Sequence, residues 1–287
     1  ANTTLTMGAA AVIGTADEMT VNLNGASTTA ASNITAEGIE KFNVNATGTA
    51  SGASATGRTV SLTSATLKDV AITGDAASVL AVNLAGATTL AAGSVTGNDA
   101  ANTVVLTADA ADTISVDLGA GNDVLRIGSV SATHTLAGGE GTDTLASTAA
   151  ITTTTGANIS GFEAVSAGAV SIELPTATNT IGTAAFTSTG GTIAGLAAGG
   201  TVSLAQVAGT SANTVSNTTG WTGAADNLRV AVGGATSTGG MSNTWSATVI
   251  ETATITNTQL STDVSARTVG VTSANLAKAT VVSSGLA

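Results

Sequence analysis

Short segments in which apolar and polar residues alternate, each closed off by Gly, Asn, Asp, Ser or Thr, run through the chain from end to end. They include residues 19–23, 41–45, 59–63, 70–73, 79–84, 103–106, 113–118, 124–127, 170–174, 201–204, 228–232, 252–256, 268–271 and 279–282. A period of two marks a strand with one buried face, and turn-forming clusters mark its ends. Helical periodicity is almost absent; only residues 273–279 read as one or two helical turns. In places successive strands start about ten residues apart, too close for a strand–helix–strand unit and suited to stacked coils.

The side chains available narrow this further. Hydrophobic residues make up 43% of the 287, but alanine dominates them, aromatic residues are 2%, and there is one proline and no tyrosine. Such a chain cannot fill a thick three-layer core, whereas closely stacked strands need only a thin one. The abundant Thr and Val suit pleated surfaces. The expectation is therefore an all-β fold, a right-handed parallel β-helix or β-solenoid with little or no helix. Low charge, at 9% of residues, argues against disorder.

One nonapeptide stands out: Gly138-Gly139-Glu140-Gly141-Thr142-Asp143-Thr144-Leu145-Ala146. It fits G-G-x-G-x-D-x-U-x, with U a large apolar residue, at every fixed position. A weaker copy, Leu118-Gly119-Ala120-Gly121-Asn122-Asp123-Val124-Leu125-Arg126, precedes it. Glycines allow sharp turns that bring carbonyl oxygens together, and the aspartate adds a charged oxygen. Calcium takes six to eight such oxygens. Asp123 and Asp143 therefore read as Ca2+ ligands, with ordinary glycine-rich turns as the alternative. Upstream, Asp99, Asn102, Asp109 and Asp112 lie before further apolar strands, and either ligation or plain turn chemistry suits them. The candidate positions 102, 112, 123 and 143 are unevenly spaced, which suggests a coil of loosened repeats with an insertion around 130–135.

Two landmarks recur. A turn aspartate precedes a strand at Asp17, Asp143 and Asp226, and an apolar–Glu pair opens one at Ile39-Glu40, Phe162-Glu163 and Ile250-Glu251. Three such pairings suggest three related modules. The glutamates read as strand-end groups or cross-strand partners rather than ion ligands. The resulting division is a solenoid module over 1–96, a calcium-binding segment over 97–150 and a second solenoid module over 151–287, together one continuous domain.

The same residues exclude several functions. A net charge of −11 with seven scattered cations leaves no basic patch for nucleic acid, while an acidic surface suits divalent cations. No cysteine is present, so there is no disulfide framework or thiolate metal site. No apolar run approaches the ~18 residues of a membrane-spanning helix. His134, the only histidine, has neither a zinc motif nor a nucleophile elbow beside it, so the expectation is not an enzyme. Trp221 and Trp245 read as packing residues, and Thr152–Thr155 lacks the repeated outward ladder of an ice-binding face. The opening Ala1-Asn2-Thr3-Thr4, without an initiator Met or basic leader, reads as a cut end within a longer polypeptide.

The succession Gly119–Asp123, Gly138–Asp143 and then Ile159-Ser160-Gly161-Phe162-Glu163-Ala164-Val165 resembles the Caulobacter-like surface-layer proteins of the repeats-in-toxin (RTX) type. The resemblance covers roughly residues 97–170. It implies an extracellular, secreted protein at the cell surface, stabilised by calcium, that self-associates into a two-dimensional S-layer lattice. It also implies a cell-surface polysaccharide partner reached through a region outside these residues. By position it assigns calcium contacts to Asp123 and Asp143 and to the carbonyls of Gly119, Gly121, Gly139 and Gly141. The same architecture occurs in adhesins, so a secreted binding module is the alternative function.

Overall fold

The alternating segments pair side by side in parallel, each strand bonded to one a full coil away in sequence. The computed structural model describes residues 4–7, 14–24, 32–47, 58–75, 80–84, 92–107, 112–174, 181–187, 191–196, 201–204, 209–216, 227–233, 241–247, 250–258 and 267–283. These are strands joined by turns, with no helix among the described residues. The chain divides into two compact units: residues 1–146 with 158–162, and residues 147–157 with 163–287. Each is a β-solenoid.

In the first unit one face stacks Thr4–Met7, Ser32–Ala36, Arg58–Thr63, Leu80–Asn83, Asn102–Leu106, Val124–Ile127 and Thr144–Ser147. The other face stacks Glu18–Asn24, Lys41–Thr47, Asp69–Gly74, Ala92–Thr96, Thr113–Asp117, Thr135–Ala137 and Ile159–Ser160. Consecutive strands alternate between the faces, so each coil gives one rung to each. In the second unit one face stacks Ala164–Ala167, Thr183–Phe186, Thr201–Leu204, Asn227–Gly233, Thr252–Thr258 and Lys278–Ser283. The other stacks Ser171–Glu173, Thr192–Ala194, Gly209–Ser216, Met241–Ala247 and Arg267–Thr272.

Period-two patterning sets the register, because a slip of one residue would turn every apolar side chain outward. One inward column of the first unit runs Met19, Phe42, Val70, Val95, Val116, Leu136 and Ile159 on seven successive rungs. The core is thin but closed: the chain's three phenylalanines, Phe42, Phe162 and Phe186, are all among its largest fully buried side chains.

Two local expectations need correction. Residues 273–279 form no helix: a turn at 274–275 leads straight into Lys278–Ser283. Residues 128–134 are not an insertion. They connect Val124–Ile127 to Thr135–Ala137 across a coil corner, as 64–68 connect Arg58–Thr63 to Asp69–Gly74. Val130, Ser131 and His134 are buried in that corner. No helix of the described residues is long and apolar enough to cross a membrane.

Candidate metal centre

Three consecutive coils of the first unit turn the same corner, at residues 97–102, 118–123 and 138–143. The short strands Ala120–Gly121 and Glu140–Gly141 pair in parallel there, so the strong nonapeptide lies directly over its weaker copy. The 20-residue offset is one full coil. A glycine is required at the contact: a Cβ on Gly139 (φ +110°) would sit 1.7 Å from the Gly119 oxygen, and one on Gly141 (φ +136°) 1.6 Å from the Gly121 oxygen. In the earlier interval the carbonyls of Asn98 and Ala100 face Gly119 and Gly121, each 2.7 Å from the position a Cβ would take. Main-chain oxygens at this corner therefore point along the stack, one coil towards the next.

Asn102, Asp123 and Asp143 occupy equivalent places beside these glycines. All three are buried, with exposures of 1%, 0% and 0%. Asp123 Oδ1 accepts the Asn102 main-chain N–H at 2.6 Å, and Asp143 Oδ1 accepts that of Asp123 at 2.7 Å. Thr144 N–H in turn donates to the Asp123 carbonyl at 2.8 Å. Each carboxylate thus closes off the main chain of the coil before it. The second oxygen of Asp123 is buried and meets no hydrogen-bond donor among the described residues. Burial, with the neighbouring Asp143 charge, pushes the Asp123 carboxyl up from 3.8 to about 7, against the pull of the Asn102 N–H and amide.

Around Asn102 an amide cradle has formed. Its Nδ2 donates to the Ala100 carbonyl (2.7 Å) and to Asn98 Oδ1 (3.0 Å), and Asn98 Oδ1 also takes the Ala100 N–H (3.1 Å). That leaves Asn102 Oδ1 and Asn98 Nδ2 buried without partners among the described residues.

The other sequence candidates fall elsewhere. Asp99 is exposed on the rim of the first of the three turns. Asp112 is buried, but it precedes Thr113–Asp117 on the other face, so it does not join Asn102, Asp123 and Asp143. Its carbonyl accepts Thr133 Oγ1 at 2.6 Å, in the corner where His134 Nδ1 accepts the Ser131 N–H at 3.2 Å. The Thr152–Thr155 run is a turn closed by its own hydroxyls. Asp109, Trp221 and Asp226 lie outside the described residues.

The recurring acidic landmarks have a shared structural role. The Asp17 carbonyl accepts two consecutive N–H groups of the next coil, from Glu40 and Lys41. The Glu40, Glu163 and Glu251 carbonyls do the same, for Lys68 and Asp69, Gly182 and Thr183, and Ala277 and Lys278. Glu40 also accepts the Asp17 N–H at 2.8 Å, the arrangement seen between Asp143 and Asp123. Asp17 and Glu40 lie on the face opposite Asn102, Asp123 and Asp143. Sequence reasoning missed the serine corners. Ser64 Oγ donates to the Ile39 carbonyl at 2.7 Å, and Ser273 Oγ to the Ile250 carbonyl at 2.9 Å. A signal was present in the matching runs Thr63-Ser64-Ala65-Thr66-Leu67 and Thr272-Ser273-Ala274-Asn275-Leu276, each one coil after an Ile-Glu pair.

Among the described residues no three His, Cys, Asp or Glu side chains converge on one point. The Asp123–Asp143 corner offers instead two carboxylates on consecutive coils beside main-chain oxygens. That all-oxygen donor set suits calcium and not zinc. The buried Oδ2 of Asp123, which no donor among the described residues reaches, is compatible with a cation held between the coils. Fold and corner together define a class: a parallel β-solenoid with glycine-turned, carboxylate-lined edges. No protein-family model matches the sequence, and no curated protein or solved structure is significantly similar to it.

Proposed function

We propose that the protein is a structural component of a calcium-dependent bacterial surface layer, secreted and assembled at the cell surface, with no catalytic role. The observation that carries the calcium part is the pair of fully buried, stacked carboxylates Asp123 and Asp143, with one Asp123 oxygen facing no donor among the described residues. Burying a carboxylate anion is costly, and two on adjacent coils repel. Calcium, when bound, supplies the positive charge that offsets both. Asp123 and Asp143 would hold it, with main-chain oxygens of the 119–121 and 139–141 turns completing the shell. The side chains then do three things: they close off main-chain N–H groups, keep the stack in register and gather the ion's oxygen ligands. Asp99 and Asp112 do not belong to this seat; Asn102 is its neighbour one coil earlier.

The lattice role is supported by the resemblance at Gly119–Asp123, Gly138–Asp143 and 159–165, and is compatible with the stacked rungs of the described residues. Extracellular calcium modules bind at about 10⁻⁴–10⁻³ M. At ten times the dissociation constant one site adds about 1.4 kcal/mol, a sizeable share of a domain's stability. The test is circular dichroism through a calcium titration with chelator reversal, followed by electron microscopy of the loaded sample. We expect β structure to sharpen with calcium and two-dimensional sheets to form. Calcium-independent folding would end the calcium reading. A calcium-ordered chain that stays monomeric and binds a surface ligand would make it an adhesin module instead.

A further inference from the structure

We infer that the Asn98–Asn102 amide pair is the neutral end of this edge: it holds one buried water and no cation, and so confines calcium to the interval between Asp123 and Asp143. The water stands on the amide pair alone. Its role in confining calcium rests on the seat proposed at Asp123 and Asp143.

Hydrogen bonding fixes both amide orientations. The Ala100 N–H, which can only donate, lies 3.1 Å from Asn98 Oδ1, so this atom is the oxygen. Asn102 Nδ2 lies 2.7 Å from the Ala100 carbonyl, which can only accept, so this atom is the nitrogen. What remains is one donor, Asn98 Nδ2, and one acceptor, Asn102 Oδ1, both buried and without partners among the described residues. The 3.0 Å bond from Asn102 Nδ2 to Asn98 Oδ1 keeps these two remaining atoms close. A buried polar group without a partner is costly, and here a donor and an acceptor occur side by side.

Their opposite needs decide the occupant. A divalent cation would satisfy Asn102 Oδ1 but would face the N–H groups of Asn98 Nδ2, whose hydrogens carry the same sign of charge. A water accepts from Asn98 and donates to Asn102, closing both groups at once. Its second hydrogen goes to the Asp123 carboxylate one coil on, whose Oδ2 is buried and has lone pairs enough for a bound ion as well. Buried waters typically make about three such bonds to otherwise unsatisfied groups. The later turns lack this donor. Gly119 and Gly139 stand before Asp123 and Asp143 where Asn98 stands before Asn102, so no amide from that position enters the interval with two carboxylates.

Two measurements on the full chain in calcium-containing buffer test this. In nuclear magnetic resonance the side-chain amides of Asn98 and Asn102 should show cross-peaks to a long-lived water, lost in Asn98→Ala. In calorimetry Asn98→Ala and Asn102→Ala should bind as many calcium ions as the wild type. The double variant Asn98→Gly with Asn102→Asp, which copies the turn before Asp123, should bind one more. Circular dichroism of each variant confirms that it has folded. No long-lived water at the two amides overturns the proposal, and so does an ion lost in Asn102→Ala, which would place calcium in this interval. An unchanged ion count in the double variant would show that the amides are not what excludes the ion. A wild type that shows the water but takes up no calcium removes the calcium seat, and the confining role with it, and leaves the hydrated pair standing.

Discussion

Asp123 couples the stability of the fold to pH. Its carboxyl titrates at about 7 in the folded chain against 3.8 when unfolded, so the folded state holds the proton more tightly. Below pH 4 both states are protonated and burial carries no penalty. Between pH 4 and 7 the unfolded chain ionises first, and stability falls as pH rises. Above pH 7 the penalty is present in full. In chelator, the thermal midpoint should therefore drop from pH 5 to pH 8 by more in the wild type than in Asp123→Asn. With calcium the dependence reverses, because protons compete for the carboxylates, and the calcium-induced rise in midpoint should shrink as pH falls below 7. An equal pH response in the wild type and Asp123→Asn would sink this assignment. At this scale the sequence was partly legible. The nonapeptides picked out Asp123 and Asp143, but their separation did not reveal that Asn102 completes the column or that Asp112 lies on the other face.

Corners, more than strands, give this fold its individuality. Gly141 shows why: at φ +136°, with the Gly121 oxygen 1.6 Å from where a Cβ would sit, no side chain fits. Gly141→Ala should destabilise the first unit by well over the ~1–2 kcal/mol that a left-handed backbone alone costs, measured by denaturant titration. Ser64 makes the opposite point with a side chain. Its hydroxyl satisfies the Ile39 carbonyl from a fully buried position. Ser64→Ala should cost about 1–3 kcal/mol, while Ser61→Ala, on the outward side of Arg58–Thr63, should stay within about 0.5 kcal/mol. A neutral Ser64→Ala would show that the corner tolerates an unsatisfied carbonyl. Strand positions were readable because alternation is a local pattern. The serine and glutamate corners were harder to read, since each works by bonding to a residue one coil away.

Across the molecule, order need not be uniform. The proposed calcium seat lies in the first unit, at the corners 118–123 and 138–143. Chelation should accordingly raise hydrogen exchange at the amides of Asn102, Asp123 and Thr144, which the carboxylate ladder ties together. The amides of Thr252–Thr258, in the second unit, should change far less. Uniform loss of protection would mean that calcium acts on the chain as a whole and not through this corner.

By itself the sequence determined that this chain forms short parallel rungs around a thin apolar core, because a period of two and an alanine-rich interior leave few other ways to bury side chains. It also singled out the glycine turns, where only a residue without a Cβ can pass. Only the tertiary structure decided which polar groups meet. Coil length sets which residues stack, and coil length varies along the chain, as 102 to 123 to 143 shows. The column of Asn102, Asp123 and Asp143 exists because three coils of slightly different length turn at one edge, and no local pattern encodes that coincidence.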